Sequence, residues 1–191
     1  MWWFYTVILG TSFAQVLGEI AVAVREWSQD RERRPFAAAL LWQVFLLALI
    51  VEVWLAVTYY RDTVKQISIL ELLGFLAVPA GILIMSFLLP AAKRETGDAV
   101  LSPSASFDRV RRVFFGVLIG VVAVNLLHGL AIGQQGWDLD LLFQSLIIAG
   151  GVVGLFLRRP LADTALAAVM IAVITAYIGF GYSTVIIDST G

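Results

Sequence analysis

The sequence predicts an all-α, polytopic integral membrane protein with six transmembrane helices. Three observations carry that prediction. Of 191 residues, 60% are hydrophobic and only 14% charged, whereas a soluble domain carries roughly 25% charge. Mean hydropathy is +0.91. The apolar residues gather into six runs, near 3–24, 37–60, 68–91, 110–132, 139–158 and 161–182, and about 20 apolar residues suffice to cross a bilayer as a helix. Finally, the basic residues alternate in density from one connection to the next, as membrane topology requires.

The first run begins at Trp2 without a basic segment before it and carries Gln15 and Glu19. A cleavable signal core rarely tolerates those groups, so the run reads as a retained span despite the small residues Ala21-Val22-Ala23. The second, FAAALLWQVFLLALIVEVWLAVTYY over Phe36 to Tyr60, is interrupted only by Gln43 and Glu52. At ~100° per residue their separation places them on opposite faces. Such a helix belongs among other helices, or between two subunits. The third carries Pro79 and Gly81 near its middle. A proline there removes a backbone hydrogen bond and bends the helix, which makes the pair a candidate gating hinge or a static kink satisfied by its neighbours.

The connection from Ala92 to Arg109 is long and rich in Gly, Pro and Ser, a flexible loop. The fourth span places Asn125 and His128 three residues apart on one face, the fifth carries Gln144, and the sixth Thr175. Arg158-Arg159-Pro160 makes a tight turn, with Pro160 suited to the first turn of the sixth helix. Small residues recur every fourth position at Gly10/Ala14/Gly18, Gly116/Gly120, Gly150/Gly154 and Ala168/Ala172/Ala176, a pattern that lets helix backbones approach in lipid.

Eleven of the 13 Lys and Arg residues fall on one side: Arg25, Arg31, Arg33 and Arg34; Lys93, Arg94, Arg109, Arg111 and Arg112; Arg158 and Arg159. Only Arg61 and Lys65 fall on the other. The positive-inside rule then predicts a multi-pass protein of a cell membrane, the inner membrane in a bacterium, with both termini outside. Trp2, Trp3, Tyr5, Tyr59, Tyr60, Trp137 and Tyr182 would line the outer interface and Trp27 the inner one.

A weak internal repeat suggests how the single domain 1–191 is organised. Leu9–Ala21 aligns without gaps to Ile119–Ala131, and Leu40–Trp54 to Leu141–Leu155, matching Gln15 with Asn125 and Gln43 with Gln144. Halves 1–91 and 107–191 joined by a cytoplasmic linker 92–109 would hold three helices each, so the second would be inverted, as in many small transporters. Six helices without symmetry are the alternative.

Several functions are disfavoured. Net charge is −1, which argues against a general attraction to nucleic acid. With no cysteine and one histidine, the chain has neither a disulfide, nor a thiolate or paired-histidine metal site, nor bis-histidine haem. It shows no phosphate loop, nucleophile elbow or zinc-protease motif, and no lysine within a span to hold a retinal. No enzyme activity, cofactor or metal is expected.

What remains is the set of polar groups inside the membrane. By depth, Gln15, Glu19 and Gln43 form an inner group, and Glu52, Asn125, His128, Gln144 and Thr175 an outer one. A carboxylate within a span costs ~2.5–3.5 kcal/mol, so it should be neutral, paired or wetted. Glu52 and His128 lie at similar depth and are candidates to share a proton, with Asn125 nearby. Glu19 with Gln15 is the inner candidate, while Gln43 and Gln144 read as hydrogen-bonding glue between helices. These groups point to a small transporter or channel for protons, a small cation or a proton-coupled solute. The alternative is a non-transporting membrane subunit that scaffolds or regulates a partner complex. The expected surroundings are the lipid bilayer, with a second copy or a membrane partner subunit as the protein partner.

Overall fold

The structure, a computed structural model, describes residues 2–29, 36–61, 68–89, 95–96, 99–100, 103–131, 139–157 and 159–182. Six helices dominate it: α1 (Trp2–Gln29), α2 (Ala37–Arg61), α3 (Ile69–Leu88), α4 (Pro103–Ala131), α5 (Leu139–Phe156) and α6 (Pro160–Gly181). All six are long and apolar enough to cross a membrane. Between α3 and α4, where a loop is expected, β1 (Glu95–Thr96) pairs antiparallel with β2 (Ala99–Val100). The rest of that loop, with Lys93 and Arg94, lies outside the described residues, as do Arg31, Arg33, Arg34, Lys65, Trp137 and Arg158.

The helix ends follow local chemistry. Ser68 caps α3 in a capping box: its hydroxyl accepts from the Glu71 amide at 3.2 Å, and the Ser68 amide donates to the Glu71 carboxylate at 2.6 Å. Pro160 opens α6, where its missing N–H leaves nothing unpaired. α4 starts seven residues before the apolar run does, at Pro103. Its first two turns are amphipathic: Phe107 and Arg111 are buried, while Asp108, Arg109 and Arg112 stay exposed. α3 passes through Pro79 without a break in its helix.

The helices close into a ring. α1 packs against α2 and α3, α2 against α6, α6 against α5, α5 against α4, and α4 against α3. α2 also touches α3 and α4 across the middle, and Ala38, Ala39, Trp42, Phe45 and Leu46 on it are fully buried. Trp42 anchors the core, with Phe45, Phe114 and Phe115 edge-on around it at ring separations of 5.3, 5.7 and 5.0 Å. Edge-to-face pairs of this kind add about 0.5–1.5 kcal/mol each beyond their burial.

The packing gives the inverted repeat no support. Under that relation α1 against α3 would recur as α4 against α6, and α2 against α6 as α5 against α3, yet neither counterpart is a substantial contact. Nor are the matched polar residues alike: Gln15 is half-buried and Asn125 exposed.

The small-residue stripes divide into two kinds. At Gly150 an added Cβ would lie 2.3 Å from Met170 Sδ, and at Gly154 2.4 Å from the Phe115 ring. Gly81 is filled by Val121 in the same way, at 2.1 Å, so it is the point where α3 meets α4. Gly10, Gly18, Gly116 and Gly120 meet nothing within 4 Å. Those positions, expected to pack, face outward.

Gly154→Ala should therefore lower thermal stability in detergent, by ~1–3 kcal/mol, because the Phe115 ring is itself locked in the core. Gly120→Ala should be neutral or stabilising, since alanine is the better helix former by ~1 kcal/mol and has open space to enter. Paired melting curves of the two variants check both.

Candidate functional site

Polar side chains concentrate at the two ends of the bundle. At the arginine-rich end, the first helical turns of α4 bring Arg111 against the start of α6 and the end of α5. Its guanidinium donates through Nη1 to Asp163 Oδ1 at 2.6 Å and through Nη2 to Asp163 Oδ2. Nε and Nη2 also donate to Asp108 Oδ1, at 3.1 and 2.8 Å, and Nη1 to the Gly154 carbonyl at 3.3 Å. The guanidinium carbon lies 4.8 Å over the Phe107 ring. The planar fork matches the carboxylate with two parallel bonds, which lysine has no means of reproducing. Arg111 and Asp163 are 5% and 1% exposed, so the charges neutralise each other out of water. Asp163 also sits in the first turn of α6, where the helix dipole favours a negative charge. This centre joins three helices and leaves no donor pointing into open space.

At the opposite end, Glu52 turns inward from α2. Its Oε1 accepts from the Tyr182 hydroxyl, just past α6, at 3.3 Å. One turn earlier on α6, the Tyr177 hydroxyl donates to Asp140 Oδ1 in the first turn of α5 at 2.5 Å. The rings of Tyr177 and Tyr182 meet edge-on at 6.0 Å, and Tyr177 stacks on Phe143 of α5 at 4.6 Å. Tyr5 of α1 is buried within electrostatic reach of Glu52 from the other side. The centre thus holds two carboxylates and three phenols, and among the described residues no lysine or arginine bonds to it.

The remaining candidates do not join either centre. His128 reaches Glu52's depth but faces α3: its Cδ2 lies 3.2 Å from where a Gly74 Cβ would stand, and Glu71 of α3 is within electrostatic reach. Its Nε2 is buried without a hydrogen-bond partner. The expected Glu52–His128 pair is therefore not formed. Equal depth is insufficient, because α2 presents Glu52 to α6 while α4 presents His128 to α3. Gln15 donates to Glu19 on its own helix at 3.3 Å. Gln43 instead donates to the Leu89 carbonyl at the end of α3, at 3.1 Å, so it fastens two helices as expected and does not extend an inner site. Asn125 and Thr175 are exposed, and Gln144 is half-buried with its Oε1 lacking a donor. No group of three or more His, Cys, Asp or Glu able to hold a metal occurs among the described residues.

Asp140, Tyr177, Arg111 and Asp163 were not singled out by the sequence. Tyr177 carried a usable signal: a phenol deep in an apolar run must find a hydrogen-bond partner. The two aspartates sit in first helical turns, where an acid is ordinary and attracts no notice. No family model matches the chain, and no curated protein or solved structure matches it either.

Asp163→Asn should destabilise the fold by about 3–5 kcal/mol, because it strands a buried guanidinium. Asp108→Asn should cost less than ~1 kcal/mol, since its side chain is 59% exposed. Thermal or denaturant unfolding of the two variants in one detergent separates these outcomes.

Proposed function

We propose that this chain is a small membrane transporter or channel that moves protons, a small cation or a proton-coupled solute. The observation that carries the reading is the centre around Glu52 and Asp140. Two carboxylates lie among phenols at one end of a helical bundle, and no basic side chain bonds to them among the described residues. Ionisable groups placed in a span without structural need are commonly part of an ion or proton path. The Arg111 centre differs in kind, because its charges are matched within the fold. Glu52 is the principal residue in this reading, with Asp140 in the place first given to His128. The charge asymmetry supports an orientation in a bacterial inner membrane with both termini outside.

A second reading, a non-transporting subunit of a membrane complex, also has a specific observation behind it. Between Gln43 and Glu52 on α2 lie Phe45, Leu46, Leu49 and Ile50, all buried. The two polar ends are thus separated by an apolar layer of ~13 Å along the helix, and Gln43 and Arg111 simply tie helices together.

In proteoliposomes carrying a pH gradient, the wild-type protein should dissipate the gradient faster than protein-free vesicles. Glu52→Gln, which keeps shape and hydrogen-bonding capacity, should cut that rate at least tenfold. Dissipation no faster than in empty vesicles would favour the subunit reading. For the orientation, cysteines introduced at Ser102 and Ser189 should label from opposite sides of intact cells and inverted vesicles. Labelling from one side would overturn it.

A further inference from the structure

The centre at Glu52 is short of protons in a particular way. A phenol has one hydrogen to donate. Tyr177 gives its hydrogen to Asp140, and Tyr182 gives its own to Glu52. The rings of the two tyrosines are in edge contact at 6.0 Å. Yet neither hydroxyl has a hydrogen left for the other. One turn along α5 from Asp140, on the same face, the buried Oε1 of Gln144 has no donor among the described residues. Among the described residues, both phenol hydrogens are thus committed to carboxylates.

The two carboxylates also differ in depth. Asp140 is in the first turn of α5, at the end of its span. Glu52 lies six residues inside Thr58, where the span on α2 ends, about 9 Å deeper at 1.5 Å per residue. Asp140 and Tyr182, which follows the end of the α6 span, thus lie at the membrane edge, Tyr177 and Glu52 lie deeper, and the set crosses from α5 through α6 to α2.

We propose that Asp140, Tyr177, Tyr182 and Glu52 form a proton relay, with Asp140 as the entry and Glu52 as the inner acceptor. This names the proton as the transported or coupling species and so rests on the transport reading above. The step balances without an outside reagent. A proton taken from water forms an O–H bond on Asp140. That hydrogen passes to the Tyr177 oxygen, the Tyr177 hydrogen passes to the Tyr182 oxygen, and the Tyr182 hydrogen passes to Glu52. One O–H bond breaks and one forms at each tyrosine, so both end neutral. The net change converts protonated Asp140 and ionised Glu52 into ionised Asp140 and protonated Glu52. Before the transfer both hydroxyls must donate towards Glu52, so the Tyr177 hydroxyl first turns from Asp140 to Tyr182; afterwards each hydroxyl donates towards Asp140, and the chain resets by rotation of the hydroxyls.

Other titratable groups do not short-circuit this path. Tyr5 of α1 packs its ring against Phe75 of α3 at 4.4 Å. Glu71 of α3 and His128 of α4 interact with each other. The arginine-rich centre is at the far end of the bundle.

Infrared difference spectroscopy after a pH jump, on purified protein in lipid vesicles, tests the relay independently of flux. A protonated-carboxyl band that disappears in Glu52→Gln reports Glu52. In Tyr177→Phe and Tyr182→Phe, which keep the rings in place, that band should still form but at least tenfold more slowly. Should either variant fail to fold, Asp140→Asn gives the same readout, because the amide keeps an acceptor for Tyr177 but takes up no proton. An unchanged rate of Glu52 protonation in folded variants overturns the relay, as does the absence of any Glu52 band down to pH 4. Parallel flux measurements keep the two proposals apart. Slowed protonation without wild-type flux retains the relay and removes transport. Wild-type flux with unslowed protonation does the reverse.

Discussion

A guanidinium drawn into the edge of a hydrocarbon layer needs hydrogen-bond acceptors for its donors, or it destabilises whatever holds it. Arg111 meets that demand with atoms from three helices: Asp108 on its own α4, the Gly154 carbonyl on α5 and Asp163 on α6. Much of the surrounding packing follows from this one requirement. Asp163 can reach the guanidinium only if α6 starts immediately after α5, which the short turn before Pro160 ensures. The Gly154 carbonyl is accessible only because residue 154 has no side chain and Phe115 presses directly onto it. Phe115 in turn meets Trp42 at 5.0 Å, so the polar lock and the aromatic core share a wall.

α6 transmits this arrangement to the other end. It carries Asp163 at its start, and Tyr177 and Tyr182 at its close. Two or three turns of Ala167, Met170 and Ile174 lie buried between. A helix pinned at one end by a bidentate pair holds the phenols at the other in a defined register. The contrast between the two ends is chemical. At Arg111, donors and acceptors are matched, and a proton would only break the match. At Glu52, two carboxylates are met by phenols and, among the described residues, by no bonded basic group, so a proton would have a carboxylate to bind. This contrast is the reason the proposed proton chemistry is placed at Glu52 rather than at the more conspicuous charges of Arg111.

The six spans were legible because hydropathy over about 20 residues integrates a strong signal, and Pro160 marked the start of the last one. Depth was also legible, since it is position along a helix of known rise. Rotation was not. Glu52 and His128 share a depth but face different neighbours, and no count along the chain gives the angle at which two helices meet. The same gap explains the glycines. Gly116/Gly120 and Gly150/Gly154 have identical spacing, yet one pair faces outward and the other receives Met170 and Phe115. In water an exposed small stripe would stand out among polar residues, but in lipid the outward face is as apolar as the inward one. Arg109, Arg111 and Arg112 posed the same problem. All three looked like charges setting topology, and only the packing of α4 separates the buried one from its exposed neighbours.

The apolar layer on α2 between Gln43 and Glu52 sets the condition that any transport reading has to meet. A proton delivered to Glu52 still faces Phe45, Leu46, Leu49 and Ile50, which are packed and offer no hydrogen bond. Passage beyond that point requires α2 to move relative to its neighbours, or water to enter beside it. The contacts that would have to loosen are the ones α2 makes with α6, on which both Tyr177 and Tyr182 depend. Protonation of Glu52 acts directly on that seam, because it turns the acceptor of the Tyr182 hydrogen bond into a group that can itself donate. The proposed relay and the barrier would thus be mechanically joined: the Tyr182–Glu52 bond that would bring a proton to Glu52 is one of those holding α2 against α6.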